Sequence, residues 1–517
     1  MNAENPPTLA DTIARSWQRW PERTALIGGG QRLTYAGLGH AVAGLANVLR
    51  GLGVGPGDRV VCSVANRCEF VVAMVAAWQC GAVHVGVDFQ STGAELSAVI
   101  ELTGATALVY EPFGGRATPM AALEAVRRGH PDLKVVAVTD HLLPDRCVRW
   151  SVATDGDHDV PAPPGSGATG PDDPAIIFIS SGTTGTPKAT MGFHGNLARR
   201  WQGLAGWLRF GPDDVHLAQL PLSHGFGLMM AIAALIGGGR LVLLERFTAE
   251  EALTLIGAEG ITVVNGAPAH FALLLSRLDP ARHRLDSLRF SVGTAAPFPP
   301  HLVNAIWERL GVDFMFMYGS SEGVGVATTD AADILRGSVG RPEPDSVAIV
   351  GPDRQPLPIG TTGEVAFSRA VYPVRYWNTT PESPWYYSGD LGHLDEQGRL
   401  YIHGRLKHQI DRGGLKVDPV EVEAALLRCP GVADVAVVGQ PNPVLGETVS
   451  ACVVPVPGER PTLDGLRVAL GETLAPFKLP EELFVLDAIP RTRIGKVDLS
   501  RLRETLTTAA VQRLERG

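Results

Sequence analysis

Ile176-Ile177-Phe178-Ile179-Ser180-Ser181-Gly182-Thr183-Thr184-Gly185-Thr186-Pro187-Lys188 is the stretch from which the fold is read. Its apolar run predicts a buried strand, Ala175–Ser180, which delivers hydroxyls and glycines into a loop closed by a stiff proline and a lysine. Glycines let the backbone approach a ligand closely, amides and hydroxyls donate to phosphate oxygens, and the ammonium offsets phosphate charge. The spacing departs from the common phosphate loop. Gly182 fits the first glycine of G-x-x-x-x-G-K, but Pro187 stands at the second. A Ser/Thr-rich surface turn would account for three or four such residues, not for the whole string in this order.

Helical and strand patterns alternate on both sides of this stretch, as α/β layers require. Residues 38–50 and 68–80 predict amphipathic helices. Short buried strands are expected at 107–110, 135–139, 241–244, 261–264, 288–292 and 314–318. A Pro/Gly/Asp-rich connection spans 155–174. After about residue 338 the segments 347–350, 363–367 and 399–402 are short and turn-bounded, which predicts an antiparallel unit. From about 408 the pattern resets into helix 419–428, strands 433–438 and 448–455, helix 464–474 and strand 483–487, a smaller α+β domain.

At 517 residues the chain has room for three or four domains or subdomains. Its 45% hydrophobic and 19% charged residues suit a globular protein with substantial cores. A net charge of −9 argues against nucleic acid or an anionic membrane as main partner. The first residues show no secretory signal, no apolar run reaches a membrane span, and the last residues carry no peroxisomal or prenylation motif. The six cysteines lack metal-type spacing, so reduced thiols and a cytoplasmic location are expected. Lysine occurs only at 134, 188, 407, 416, 478 and 496, so arginine carries nearly all the positive charge. Where a lysine is used, its compact ammonium is of interest in itself.

The 176–188 string closely resembles the phosphate loop of the adenylate-forming synthetases, which include acyl- and aryl-CoA ligases, peptide-synthetase adenylation domains, beetle luciferases and stand-alone amide synthetases. The resemblance covers nearly the whole chain, because the other family motifs follow in order. It implies a large N-terminal domain of layered α/β subdomains with an antiparallel β unit over 1–404, a hinge at 405–407 centred on Lys407, and a small mobile α+β domain over 408–517. It implies that Ser180, Ser181, Gly182, Thr183, Thr184, Gly185 and Lys188 hold ATP phosphates. Leu220-Pro221-Leu222-Ser223-His224-Gly225-Phe226-Gly227 is similar to the motif lining the carboxylate pocket, with His224 orienting the acid. Relatives that activate amino acids place Asp hereabouts to hold the ammonium, and its absence favours an acid without an α-amino group. Phe226, Met229, Met230 and Trp201 are candidates for an apolar or aromatic pocket and equally for core.

Gly293-Thr294-Ala295-Ala296-Pro297 resembles the small-residue segment lying against adenine, through Ala295 and Ala296. Tyr318-Gly319-Ser320-Ser321-Glu322 is similar to the family's YGxTE motif, so Tyr318 is expected on adenine, Ser321 on phosphate, and Glu322 on the Mg²⁺ that bridges ATP oxygens. Tyr387-Ser388-Gly389-Asp390 resembles the TGD motif, with Asp390 on the ribose and Arg405 on ribose or phosphate. The segment 377–385 before it is shorter than in most relatives. Pro490 to Asp498 resembles the C-terminal lysine motif, whose Lys496 would reach both the carboxylate and the α-phosphate. A desolvated ammonium there stabilises charge growing on the phosphorus oxygens.

Two residues depart from the family pattern. Ala189 replaces the glycine that usually follows the loop lysine. In Ile410-Asp411-Arg412-Gly413-Gly414, Asp411 stands where relatives usually carry lysine, and Asp411, Gly413 and Gly414 belong to the expected acceptor channel. The resemblance therefore implies ATP-dependent formation of acyl-AMP and pyrophosphate, then acyl transfer to coenzyme A. The alternative acceptor is an amine, with a carrier-protein thiol third, although no carrier domain follows Lys496. A degenerate nucleotide-binding protein is the rival from another class. High Ala, Gly and Arg content fits a GC-rich bacterium and a place in secondary metabolism.

Overall fold

The computed structural model describes residues 7–112, 119–138, 147–150, 169–180, 188–492, 495–508 and 512–514. The expected phosphate-loop residues Ser181, Gly182, Thr183, Thr184 and Gly185 lie outside the described residues. The two strands leading into and out of that segment are described. Pro174–Ser180 and Lys188–Phe193 pair antiparallel, with Ser180 opposite Lys188. The pair lies in an eight-stranded sheet whose next strands, Val83–Gly86, Arg59–Ser63, Ala107–Tyr110 and Lys134–Ala137, run parallel.

A second eight-stranded sheet has a parallel centre in the order Asp313–Gly319, Phe290–Gly293, Val263–Gly266, Val215–Ala218, Arg240–Leu243, Thr24–Gly28. Parallel strands all end at the same edge, where ligands of open α/β sheets bind. That edge therefore gathers four segments distant in the chain: the 220–224 motif, Ala267, the 294–297 segment and the 320–323 turn. This geometric consequence of the topology positions the site.

Between the two sheets lies a core around Trp78, Tyr35 and Phe70, all at most 1% exposed. The helix Cys68–Gln79 runs through it with all twelve residues buried. The sequence predicts an amphipathic helix there. It is instead apolar all round, as a helix covered on every side must be, and its one acid, Glu69, is paired with Arg67 at 3.3 Å. The helix Tyr35–Gly51 is one-sided as expected, and the Thr34 hydroxyl caps it by accepting from the Gly37 N–H.

The antiparallel unit is a five-stranded sheet ordered Ser338–Gly340, Leu400–Arg405, Trp385–Leu394, Gly363–Ser368, Val347–Val350. A fourth sheet is built wholly from residues after 409, with Val432–Asn442 and Gly446–Pro455 as its long central hairpin. The molecule is thus a mixed α/β protein with a large N-terminal domain and a small C-terminal one.

Every expected strand forms, 107–110 and 347–350 with the expected ends and the others with shifted ones. The strands expected at 261–264 and 288–292 are Val263–Gly266 and Phe290–Gly293. Ile261 and Leu288 are buried just before their strands, so the apolar run starts early, while the ladder continues onto glycines that hydropathy does not mark. The 410–414 segment, expected in the acceptor channel, is half of a hairpin, Ile410–Arg412 with Leu415–Val417. Gly413 and Gly414 have φ of 61° and 86°, the two positive values a type I′ turn demands. All six cysteines are free thiols, five buried and Cys147 half-buried.

Candidate active site

The principal cavity, about 330 Å³, opens where the parallel strands end. Its walls are mainly apolar, including Phe178, Trp201, Phe226 and Met229, and polar groups enter from His224, Ser321 and Lys496. His224 precedes the helix Gly225–Ile236 as its N-cap residue. Of the four candidate pocket residues, Trp201, Phe226 and Met229 line this cavity. Met230 is 2% exposed and packs into a neighbouring core cluster.

Lys496 reaches the cavity from the C-terminal domain. It sits on a tight turn in which the Gly495 N–H donates to the Thr492 carbonyl (2.9 Å) and the Thr492 N–H to the Lys496 carbonyl (2.7 Å). The surrounding protein lowers the Lys496 pKa from the usual lysine value, through desolvation first and the Arg405 charge second, with Asp390 and Glu322 opposing. The side chain itself is exposed to the open cavity, so the desolvation is strongest when the cavity is filled by something other than water.

Asp390 is 4% exposed and held from two sides. The Tyr318 hydroxyl donates to its Oδ2 at 2.6 Å, and Arg405 pairs with Oδ1 at 2.8 Å. Arg405 is the cross-strand partner of Asp390 in the antiparallel sheet, which explains how residues fifteen apart meet. Burial and the adjacent carboxylate push the Tyr318 hydroxyl pKa up, so it remains a donor. Ala295 lines the cavity in a left-handed conformation, φ 75°, a backbone region that residues with a Cβ uncommonly adopt. Ala296 is half-buried beside it, outside the cavity wall.

Glu322 accepts a 3.2 Å hydrogen bond from the Tyr376 hydroxyl, and burial with the Glu322 charge pushes that hydroxyl up to about 12. Lys188 Nζ stands 5.7 Å from the centroid of the Tyr376 ring. Arg375–Tyr376 pairs with the Lys188–Phe193 strand, Tyr376 opposite Thr190, so the chain just before the shortened 377–385 segment carries the contact. Ala189 is buried in a core cluster at 5% exposure, and its carbonyl accepts from the Trp377 N–H at 2.8 Å. The methyl replacing glycine is thus accommodated. Lys407 lies in the single turn Leu406–His408, and desolvation followed by the charges of Arg405 and Lys188 lowers its pKa. Lys407 and Lys496 each feel the charges of Arg405 and Asp390, and Lys407 also feels that of Lys188, a concentration of cations suited to a polyanion.

Asp411 stands apart from this cluster. Its side chain is half exposed and paired with Lys416 at 2.6 Å, and it accepts from the Gly414 N–H at 2.9 Å. Neither Asp411 nor Gly413 nor Gly414 lines the principal cavity. The charge reversal noted in the sequence is cancelled locally by its hairpin partner.

Sequence reasoning missed Arg200, Tyr376 and Ser320. Ser320 Oγ is buried in the cavity wall without a partner, although it is the neighbour of a motif residue and was legible as such. Arg200 and Tyr376 had no motif to mark them.

The chain belongs to the AMP-binding enzyme family, which matches residues 13–377, and the family's C-terminal domain matches residues 421–496. It is 33% identical to a feruloyl-CoA synthase of an Amycolatopsis species, over 92% of this chain and 94% of that one. Among solved structures it resembles ATP-bound MatB from Rhodopseudomonas palustris, with a TM-score of 0.84, 27% identity, and 98% and 99% of the two chains covered. It also resembles the amide bond synthetase McbA from Marinactinospora thermotolerans, with a TM-score of 0.82, 29% identity, and 96% and 99% covered. Among the described residues no helix is long and apolar enough to cross a membrane.

Proposed function

We propose that this protein uses ATP to activate an aryl or hydrophobic carboxylic acid, not an α-amino acid, as its acyl-AMP, and then transfers the acyl group to the thiol of coenzyme A. The observation that carries the first step is the meeting of His224 and Lys496 in one largely apolar cavity. His224 orients the substrate carboxylate. As a carboxylate oxygen bonds to the α-phosphorus, the bond to pyrophosphate breaks, and charge grows on the phosphorus oxygens. The Lys496 ammonium stabilises that charge where little water competes.

Tyr318 and Ala295 form the adenine seat, with Ala296 beside it, and Asp390, held by Tyr318 and Arg405, takes the ribose hydroxyls. Ser180, Ser181, Gly182, Thr183, Thr184, Gly185, Lys188 and Ser321 serve the phosphates. Glu322 supplies one hard carboxylate, and the described residues contain no cluster of three acidic, His or Cys ligands. That donor set fits Mg²⁺, which takes most of its oxygens from nucleotide and water and offsets phosphate charge when bound. After adenylation the domain over 408–517 turns about Lys407, withdraws Lys496 from 1–404, and brings the Asp411–Gly414 hairpin to the acceptor.

An amine acceptor is the second reading, favoured by the similarity to the amide bond synthetase over 96% of the chain. Incubation with Mg-ATP, a panel of acids, and either coenzyme A or an amine separates the two by mass spectrometry. Lys496→Ala is expected to abolish acid-dependent pyrophosphate release while the melting temperature holds. Normal release by the folded variant would refute the assignment of Lys496.

A further inference from the structure

The helix His194–Trp207 carries Arg200 into the wall of the acid cavity. Its surroundings are unusual for a cation. One guanidinium nitrogen, Nη1, donates to the Gly323 carbonyl, and Cζ stands 4.7 Å from the centroid of the Tyr372 ring. The ring is itself fixed, because the Tyr372 hydroxyl donates to the Gly325 carbonyl at 2.8 Å. Among the described residues no carboxylate forms an ion pair with Arg200. Glu343, exposed at the cavity wall, is felt only as a more distant charge. Among the described residues Nε and Nη2 have no hydrogen-bond partner, and Arg200 itself lines the cavity.

A guanidinium held by one carbonyl and one ring face, with two nitrogens left over, is a preorganised donor fork. The rest of the wall nearby, including Leu197, Trp201, Leu204 and Trp207, is apolar. An acid filling this cavity with a purely hydrocarbon body would leave those donors desolvated and unmatched, which is costly. We propose that Arg200 is a specificity-determining residue that selects aryl acids bearing an oxygen acceptor, such as a hydroxyl, phenolate or second carboxylate, on the ring. The proposal rests on the acid-activating function above and goes beyond it, because it assigns a second recognition point to a residue outside the motifs.

The test compares kcat/KM for acid-dependent pyrophosphate release between pairs of acids differing in one ring hydroxyl or carboxylate, such as benzoate and its hydroxylated forms. The wild-type enzyme should prefer the substituted member by roughly 10- to 100-fold, the range expected for a hydrogen bond to a charged donor. Arg200→Met should bring that ratio close to one, and Arg200→Lys should retain part of it, which separates loss of the donor from loss of packing. A ratio unchanged in Arg200→Met, or an equal loss for both acids with a raised KM for ATP, would overturn the proposal. The second outcome would place Arg200 at the phosphates instead. Should Arg200→Met fail to fold, the ratio in Arg200→Lys and in Arg200→Gln decides. If the wild-type enzyme releases pyrophosphate with every acid tried at equal efficiency, the acid-activating function stands and the Arg200 proposal falls. If no acid supports release, the function itself falls.

Discussion

Gly495→Ala tests the docking of the C-terminal lysine turn more sharply than removal of the lysine. Gly495 has φ +80°, and an added Cβ would stand 2.8 Å from the Cβ of Ala267, at the edge of the large domain. Carbon atoms in contact rest about 3.5–4.0 Å apart, and Ala267 is fully buried, so it has little room to yield. Overpacking of this kind costs about 1–3 kcal/mol, and the left-handed backbone adds about 1–2 kcal/mol for a residue with a Cβ. Only the first contribution belongs to the docked arrangement, because the φ strain stays with the turn in any arrangement that keeps it. The docked state should therefore lose about 1–3 kcal/mol, or about 5- to 150-fold in population. The assay is stopped-flow pyrophosphate release for the first step, set beside acyl transfer from chemically prepared acyl-AMP for the second. The first rate should fall by that factor and the second should change little. The double variant Gly495→Ala/Ala267→Gly should recover most of the loss. An unaltered first step in Gly495→Ala would refute the view that adenylation requires this contact.

Tyr318→Phe removes the hydroxyl that holds Asp390 and should raise the KM for ATP about tenfold, the worth of a hydrogen bond to a charged acceptor. An unchanged KM for ATP would count against the ribose role of Asp390. Glu423 sits beneath the long hairpin of the small domain, accepting from the Val437 N–H at 2.8 Å, and burial pushes its carboxyl up to about 7. An unfolded glutamate titrates near 4.3, so between these values the folded chain binds its proton more tightly, and stability declines as pH rises through that window. Above it the penalty is complete, ~4 kcal/mol as an upper bound. Glu423→Gln keeps an acceptor for Val437 and should raise the melting temperature at pH 8 but not at pH 4.5. Equal effects at both values would remove burial of the charge as the cause.

The segments to which the nucleotide roles are assigned stand out in the sequence, because phosphate, ribose and adenine sites need particular residue types on short contiguous segments. Tyr318 with Glu322, Ser388 with Asp390, and Gly495 with Lys496 each lie within a few residues of one another, so local pattern carries their meaning. Even the scarcity of lysine was informative, since Lys407 and Lys496 both feel one carboxylate–guanidinium pair.

The lining of the cavity was not legible in the same way. Trp201, Phe226, Met229 and Met230 were indistinguishable as apolar residues on helices, and only packing assigned three to the cavity and one to the core. Arg200 acquired its setting from Gly323 and Tyr372, residues more than a hundred positions away that no spacing rule connects to it. Asp411 read as a reversed charge, and only the hairpin register shows Lys416 opposite it. The helix 68–79 read as one-sided until two sheets covered it. Short-range sequence determines which chemical groups a loop can present. Pairing of strands and closure of sheets decide which distant groups share a space, because burial, pairing and desolvation depend on neighbours in three dimensions.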